Sequence, residues 1–348
     1  MSEKDFHQEY TAPKSALRLT PAKVTALSGA LAGFLSGVAV CPLDVAKTRL
    51  QAQGAFASLL RSADARGTPP PFKYKGLVQT ISLILKEEGI RGLYRGLVPI
   101  VFGYLPTWMI YFTVYEKCKP VISRNLDHEF GSYVLSAICA GAASSILTNP
   151  IWVVKTRLML QTGSGSLMNP TFDPKIKSRA SHYYYKGTID AFRKMYKYEG
   201  LTVFYSGLVP SLFGLMHVGL QFPVYEKLKK FLRVDQEDSD VTGSRLWKLV
   251  AASSLSKMFA SSITYPHEVL RTRMQLSGNT KEDPKDVKVY GKGGKKLGLF
   301  ATMKNIYVKE LMRGFYSGFV VNLMRTVPAS AVTLVSFEYF KAHFTQYV

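Results

Sequence analysis

Six apolar stretches, separated by polar and charged segments, dominate the pattern of the chain. They are Val24–Leu43, Gly96–Tyr115, Gly131–Val154, Gly207–Tyr225, Leu249–Pro266 and Gly314–Phe337. The first four contain no Asp, Glu, Lys or Arg, and the last two contain only Lys257 and Arg325, respectively. Each is about 20 residues long, the length of helix that crosses the hydrocarbon core of a bilayer. The pattern predicts six membrane-spanning helices, because too little amphipathic sequence remains to cover them in a soluble protein.

Three sequence markers recur in the same order and divide the chain into three repeats. The first marker reads CPLDVAKTR, NPIWVVKTR and TYPHEVLRTR, the second EGIRGLYRG, EGLTVFYSG and ELMRGFYSG, and the third YEKCK, YEKLK and FEYFK. We therefore predict an all-α membrane protein with three pseudosymmetric repeats, each of two transmembrane helices plus a short connecting helix. The repeats are assigned to residues 20–124, 125–235 and 236–348, after a flexible N-terminal tail at residues 1–19.

The polar segments alternate in length and in charge. Those inside the repeats are long and richer in Lys and Arg than in Asp and Glu, whereas the two between repeats are short and nearly balanced. Because basic loops tend to stay on the side that is not translocated, both termini are expected on the other side. We predict short helices at Leu77–Glu88 and Thr188–Tyr198, and exposed loops at Ala55–Phe72, Thr162–His182 and Ser277–Leu297.

The formal net charge of +21 raises the question of nucleic-acid binding. The basic residues border the apolar stretches and no nucleic-acid motif occurs, so no nucleic-acid partner is expected. No nucleophile with a neighbouring base and no metal-ligand spacing stands out. The sequence therefore predicts neither an enzyme nor a bound metal or cofactor.

The tripled pattern resembles the mitochondrial carrier family. A Pro-x-[acid]-x-x-[Lys/Arg] segment, an acid-Gly pair and an [aromatic]-[acid]-x-x-[Lys/Arg] segment follow one another three times, over about residues 20–345. The resemblance implies a six-helix bundle with threefold pseudosymmetry in the mitochondrial inner membrane, with both termini toward the intermembrane space and the short helices in the matrix. It also implies alternating access to one central site, a functional monomer, and contact with membrane lipid such as cardiolipin.

The resemblance further implies a gate on the matrix side, which we name the proline-side ring. Its members are Asp44, Lys47, Lys155, Glu268 and Arg271, with Gln51 and Gln275 as bracing residues and Met159 in the third bracing position. The cyclic pairing of the family joins Asp44 to Lys155 and Glu268 to Lys47. Arg271 is left without a partner, because Trp152 stands where the family has an acid.

A second gate, which we name the opposite ring, is implied on the cytoplasmic side. Its expected pairs are Glu116 with Lys229, Glu226 with Lys341 and Glu338 with Lys119. This ring is complete and the proline-side ring is not, so we predict that the proline-side ring is the weaker gate. Pairs on a solvated rim contribute only about 0–1 kcal/mol each, which suits a gate that must open.

Substrate-binding residues are expected where the repeats differ, since a substrate is not threefold symmetric. Counting from Tyr94, Tyr205 and Tyr316, the tenth position of the even-numbered spans holds Gly103, Gly214 and Arg325. Arg325 is an intramembrane guanidinium suited to a bidentate phosphate contact. Lys257 stands where the other repeats have Gly33 and Gly141. It either enters the cavity, where it would bind a pyrophosphate together with Arg325, or extends to the membrane surface.

Several aromatic and small residues complete the predicted site. Gly214 with Leu215 resembles the pair that nucleotide-carrying members of the family have on the fourth helix. Tyr104, Thr107 and Trp108 either contact the substrate or pack between helices or against lipid. Trp152 either fills the gap in the gate and stacks over Arg271, or contacts a base that passes through.

Within the family, two sets of segments narrow the choice of substrate. Trp152 together with SITYPHEVLRTRMQ resembles the subgroup that carries NAD, FAD, folate or pyrimidine nucleotides. VAVCPLDVAKTRLQAQG and HVGLQFPVYEKLK most resemble fungal NAD carriers, which implies import of NAD, by uniport or in exchange for a mononucleotide such as AMP. The other three substrates stay open as alternatives. A proton leak or anion channel, or a membrane scaffold, is less favoured, since His217 is the one near-neutral titratable group expected in the cavity.

Overall fold

The computed structural model describes residues 20–63, 74–125, 129–162, 165–166, 184–232, 243–276 and 298–346. This part of the chain is almost entirely helical, which agrees with the predicted all-α class. The predicted tail at residues 1–19 lies outside the described residues, as do the predicted loop at 277–297 and nearly all of the loop at 162–182.

Long helices alternate with short connectors along the chain. The odd-numbered spans are α1 (Pro21–Ala63), α5 (Glu129–Leu160) and α9 (Gly243–Leu276). The even-numbered spans are α4 (Leu97–Asn125), α7 (Leu208–Phe213) with α8 (Leu215–Phe231), and α11 (Phe319–Thr345). The connectors are α2 (Leu77–Glu88), α3 (Ile90–Leu93), α6 (Thr188–Glu199), a 3₁₀ turn at Leu201–Tyr205, and α10 (Leu299–Phe315).

Five segments of the described chain are long and apolar enough to cross a membrane. They are Val24–Gly54, Ile90–Asn125, Gly131–Leu160, Leu201–Phe231 and Phe319–Thr345. The sixth long helix, α9, has 34 residues, but serines and Lys257 interrupt its apolar stretch. Helix α9 packs against α8 and α11, α11 packs against α1, and α4 packs against both α1 and α5. The described helices therefore form the expected bundle of six, with α9 as its most polar member.

Two details of the fold differ from the prediction. The predicted loop at residues 55–72 was wrong over its first part, because α1 continues as a helix to Ala63. Three alanines, two leucines and Arg61 between residues 55 and 63 favour a helix, and Gly67 with Pro69–Pro71 follows only later. A two-residue antiparallel strand pair, Gln161–Thr162 with Gly165–Ser166, also follows α5.

Each repeat contains a buried ion pair between the arginine of its first marker and the glutamate that opens its second. Arg49 pairs with Glu88 at 2.6 Å, and both side chains are fully buried. The equivalent pairs are Arg157 with Glu199, and Arg273 with Glu310 at 2.5 Å. Because removing one partner would leave an uncompensated buried charge, each pair fixes the end of an odd span to its own short connector.

The same arginines also join neighbouring repeats. Each one donates a hydrogen bond from Nε to the backbone carbonyl at the bracing position of the next odd span, so the three repeats are linked in a closed circle. The bonds run from Arg49 to Met159 (3.0 Å), from Arg157 to Gln275 (3.1 Å) and from Arg273 to Gln51 (3.2 Å).

Each even span begins just after a glycine that lies against the neighbouring odd span. Gly96, Gly207 and Gly318 have φ angles of 85°, 76° and 78°, a region that L-residues rarely adopt. A side-chain carbon added to them would lie 3.2, 3.0 and 3.3 Å from the carbonyl oxygens of Lys155, Arg271 and Lys47. These glycines therefore bring the start of each even span directly beside a base of the proline-side ring.

The third repeat departs from this regularity at Leu311. Gly89 and Gly200 adopt positive φ after the buried glutamate, and Leu311 adopts φ 54° and ψ −153° at the same place. That backbone region is essentially restricted to glycine, and a leucine held there costs on the order of 1–3 kcal/mol. Leu311 is 63% exposed, so burial of its side chain offsets little of this strain.

Leu311→Gly should therefore stabilise the protein. We expect the midpoint of thermal unfolding in detergent to rise by about 2–4 °C for each kcal/mol of strain that is relieved. The matched control is Gly200→Leu, which introduces the strained leucine into the second repeat and should lower the midpoint. An unchanged or lower midpoint for Leu311→Gly would contradict the strain at this position.

Candidate functional site

Two of the ion pairs expected in the proline-side ring are present. Lys47 Nζ lies 2.5 Å from Glu268 Oε2, and Lys155 Nζ lies 3.4 Å from Asp44 Oδ2. The first pair joins α1 to α9, and the second joins α1 to α5. Arg271 forms no salt bridge with the residues that the structure describes. The ring is therefore closed between two pairs of odd spans and lacks an ion pair between α5 and α9.

The bracing residues bond to threonines rather than to the ion pairs themselves. In each odd span, a threonine directly follows the basic residue of the proline-side ring. This threonine contacts the bracing residue of a neighbouring odd span. Thr272 donates to Gln51 (2.8 Å), Thr156 donates to Gln275 (2.6 Å), and the Thr48 hydroxyl lies 3.7 Å from the Met159 sulfur. A thioether is a weak acceptor, so the contact between α1 and α5 is the weakest of the three.

Arg325 binds a carboxylate of the proline-side ring in this conformation. Its Nη1 lies 2.9 Å from Asp44 Oδ1, so that Asp44 is shared between Arg325 and Lys155. One turn earlier on α11, Asn322 accepts a hydrogen bond from Lys47 at 2.7 Å. Helix α11 thus contacts one member of each ion pair, and both of these members lie on α1. The sequence predicted Arg325 as a phosphate ligand but did not predict its contact with Asp44.

Lys257 lies between the helices of the bundle. Its Nζ donates to the hydroxyl of Ser330 at 3.2 Å, and Ser330 is fully buried. Lys257 is also close enough to Arg325 for their positive charges to repel each other. Of the two positions that the sequence left open for Lys257, the structure has the one inside the bundle.

Trp152 contacts a different cation from the one expected. Lys155 Nζ lies 5.2 Å from the centre of the indole, whereas no cation–π contact joins Trp152 to Arg271 in the described part of the chain. Of the two alternatives for Trp152, stacking over Arg271 is therefore wrong for this conformation. The indole contacts Lys155 instead, which lies one turn away on the same helix. The indole N–H donates to Thr148 at 3.1 Å, and Tyr104 packs edge-on at 5.9 Å.

Two of the three remaining predicted residues, Thr107 and Trp108, make contacts within α4, and Leu215 contacts a neighbouring helix. Thr107 donates to the carbonyl of Gly103 in its own helix at 2.7 Å, so its hydroxyl is used locally. Trp108 stacks on Phe112 with ring centres 5.5 Å apart. Leu215 packs on Gly141, where an added side-chain carbon would lie only 2.6 Å from it.

The opposite ring is not formed in this conformation. None of its three expected pairs is among the salt bridges of the described residues. Lys119 lies over the ring of Tyr133 at 4.7 Å, Lys341 lies over Phe337 at 5.9 Å, and Lys229 lies 3.8 Å from Glu226 of its own helix. In the described part of the chain, Glu116 and Glu338 form no ion pair, and the ion pair of Glu226 lies within its own helix.

Sequence reasoning missed His267. The expectation that His217 alone would be a near-neutral group near the cavity was wrong, because both histidines contact Thr264. His217 Nδ1 lies 3.0 Å from the Thr264 hydroxyl, and His267 Nδ1 contacts the Thr264 carbonyl oxygen. The available signal was the position of His267 between Pro266 and Glu268, where the other repeats have an aliphatic residue.

Comparison with known proteins also finds a threefold repeat. The family model described as mitochondrial carrier protein matches residues 20–126, 127–236 and 243–348.

Three relatives cover most of the chain. The mitochondrial nicotinamide adenine dinucleotide transporter 1 of Saccharomyces cerevisiae is 51% identical, over 95% of this chain and 80% of its own length. The chloroplastic nicotinamide adenine dinucleotide transporter 1 of Arabidopsis thaliana is 41% identical, over 90% of this chain and 89% of its own. The chloroplastic folate transporter 1 of the same plant is 34% identical, over 90% and 92%. On these matches and on its threefold repeat, the chain belongs to the mitochondrial carrier family.

Proposed function

We propose that this protein imports NAD across the mitochondrial inner membrane by alternating access, as a monomer with both termini toward the intermembrane space. The relatives named as NAD transporters support the substrate. The excess of basic residues in the long loops supports the orientation. Membership of the carrier family supports a transporter rather than an enzyme.

The observation that carries the proposal is the charge imbalance around the proline-side ring. Together with Lys257 and Arg325, the ring contains five basic side chains and two carboxylates: Lys47, Lys155, Lys257, Arg271 and Arg325 against Asp44 and Glu268. Uncompensated cations inside a membrane protein are costly and mark binding sites for anions. A dinucleotide brings two phosphate charges to this region, and Trp152 with Tyr104 offers an aromatic surface for a flat base.

The described conformation fits one half of the transport cycle. The ion pairs of the proline-side ring are formed and the expected pairs of the opposite ring are not. The cavity would then be accessible from the side of the termini. Transport would require that the two proline-side pairs break and that the opposite ring forms, and a ring with a missing pair lowers the cost of the first step.

Arg325 offers a way for the substrate to promote this change. A phosphate that binds the guanidinium competes with Asp44, which then retains only the longer contact with Lys155. Binding would therefore weaken the proline-side ring and favour its opening. This satisfies the requirement that a ligand shifts a conformational equilibrium only through a difference in its affinity for the two states.

Transport by purified protein in liposomes tests the proposed function directly. We expect saturable uptake of labelled NAD that is stimulated by AMP inside the vesicles. Folate, FAD and pyrimidine nucleotides are measured alongside, since a folate transporter is among the relatives. Uptake of one of these compounds without uptake of NAD would overturn the choice of substrate, and flux without saturation would favour a channel.

The shared carboxylate leads to a second prediction, on Arg325 and Asp44. Arg325→Ala should lower the apparent affinity for NAD by about 10–100-fold, the equivalent of about 1.5–3 kcal/mol for a hydrogen bond to a charged group. Asp44→Asn should lower the KM for NAD, because it removes the competitor for the guanidinium. If both variants raise KM equally, Arg325 serves the gate alone and does not bind the substrate.

Trp152→Asp provides a third prediction, because it restores the acid that would pair with Arg271. We expect a tighter proline-side ring, seen as slower NAD exchange with an unchanged preference among nucleotides. Trp152→Asn is the matched control, since it removes the indole without adding the charge, and it should not slow exchange. Loss of discrimination between bases in both variants would instead show that the indole contacts the base.

A further inference from the structure

One contact between helices is repeated three times with different chemistry. The tenth position of each even span lies against the residues that follow the proline of the next odd span. A side-chain carbon on Gly103 would lie 3.5 Å from Trp152, and one on Gly214 would lie 2.9 Å from His267 Nε2. The third member of the set is Arg325, whose guanidinium reaches Asp44 at 2.9 Å.

The glycines at two of these contacts leave room for a ring from the neighbouring helix. Trp152 fills the space beside Gly103, and His267 fills the space beside Gly214. Two of the three contacts already belong to the proposed site, one through the indole and one through Arg325. Counted from the proline, His267 corresponds to Ile151, which precedes Trp152 and lies 3.3 Å from a side-chain carbon added to Gly103. The imidazole of His267 therefore borders the tenth position of its neighbouring even span, one residue before the position equivalent to Trp152 and Asp44.

The protonation of the His267 ring follows from its hydrogen bond. Nδ1 contacts the backbone carbonyl of Thr264, and a carbonyl oxygen only accepts, so Nδ1 carries the hydrogen. In the neutral ring, Nε2 is then an acceptor. The side chain is half-buried, and Nε2 has no hydrogen-bond partner within the described parts of the chain.

Thr264 holds the two histidines in place. Its hydroxyl donates to the carbonyl of Ala260 at 2.9 Å and lies 3.0 Å from His217 Nδ1, while its carbonyl accepts from His267. A ring that is oriented by one nitrogen presents the other in a defined direction. Such an orientation is a requirement for recognising a substrate by a single hydrogen bond.

We infer that His267 determines base specificity: its Nε2 accepts a hydrogen bond from an N–H donor on the heteroaromatic part of the transported nucleotide. The inference rests on the proposed function and adds a residue to it. The cations of the site bind phosphate, which every nucleotide carries, so they do not distinguish one base from another. An acceptor that is held in one orientation does, since a substrate without the donor leaves it unpaired.

The test compares NAD with analogues that lack a hydrogen-bond donor on one of its two heteroaromatic groups. NAD is measured against the analogue with hypoxanthine in place of adenine, which lacks the exocyclic amine, and against the analogue with nicotinic acid, which lacks the amide N–H donors. We expect wild-type protein to prefer NAD over at least one of them by about 10-fold or more. The analogue that is rejected identifies the donor.

Two variants distinguish recognition of the base by His267 from a purely structural role of this residue. His267→Asn keeps a donor for the Thr264 carbonyl but removes the acceptor at the Nε2 position, so the preference for NAD should fall to near one. His267→Gln brings an amide oxygen to the Nε2 position and should retain most of the preference. Thermal unfolding in detergent checks that both variants are folded. Inhibition of uptake by ribose 5-phosphate, which lacks the base, checks that phosphate binding is intact.

A preference that is the same in wild type, His267→Asn and His267→Gln would overturn the inference, as would a wild type that transports both analogues as well as NAD. Failure of the proposed function is seen separately, as a lack of NAD uptake by wild-type protein. In that case the same variants are compared with cytidine and uridine nucleotides, which also differ by an amine and an oxo group. Unchanged discrimination between those two would overturn the inference equally.

Discussion

The structure depends on three buried guanidinium groups, those of Arg49, Arg157 and Arg273. Each is neutralised by a glutamate of its own repeat and donates to a carbonyl of the next, so the three odd spans are joined to one another beside the proline-side ring. Breaking such a pair would leave an uncompensated buried charge, which makes it a permanent contact. The basic residues of the proline-side ring lie only two residues earlier in each span. Their side chains are less buried, so their ion pairs can break and form again. Permanent and reversible ion pairs are thus separated by half a helical turn.

Threefold symmetry belongs to the scaffold, and the chemistry of the cavity departs from it. The buried pairs and the close-packed glycines occur in all three repeats. At the tenth position of the even spans, in contrast, two repeats have glycine and the third has Arg325. In space, these three positions lie beside the indole of Trp152, the imidazole of His267 and the carboxylate of Asp44, respectively. A symmetric scaffold can therefore bind an asymmetric substrate because the positions facing the cavity are free to differ while the buried ones are not.

The sequence predicted what is local or repeated. The apolar stretches correspond to helices, and α2 has the predicted bounds, because periodicity and glycine boundaries are properties of short segments. The two proline-side pairs followed from the cyclic pairing that the family resemblance implies. The bond from Arg325 to Asp44 did not, since the two residues lie on the first and last spans and sequence spacing gives no distance between them. Of the two alternatives for Trp152, stacking over Arg271 was wrong for a related reason: the prediction considered the missing acid and not the lysine one turn away.

The acid that is missing at position 152 and the two added cations both make the net charge of the site more positive. Trp152 leaves Arg271 without a carboxylate, and Arg325 and Lys257 bring two more positive charges into a region with only two carboxylates in its ring. Stability does not explain this arrangement, because like charges in a region of low dielectric constant repel strongly. In the proposed mechanism the substrate supplies the negative charge, and an empty cavity keeps the imbalance while its surroundings rearrange. The empty protein would then change conformation less readily than the loaded one, which favours exchange of one nucleotide for another over movement of the empty carrier.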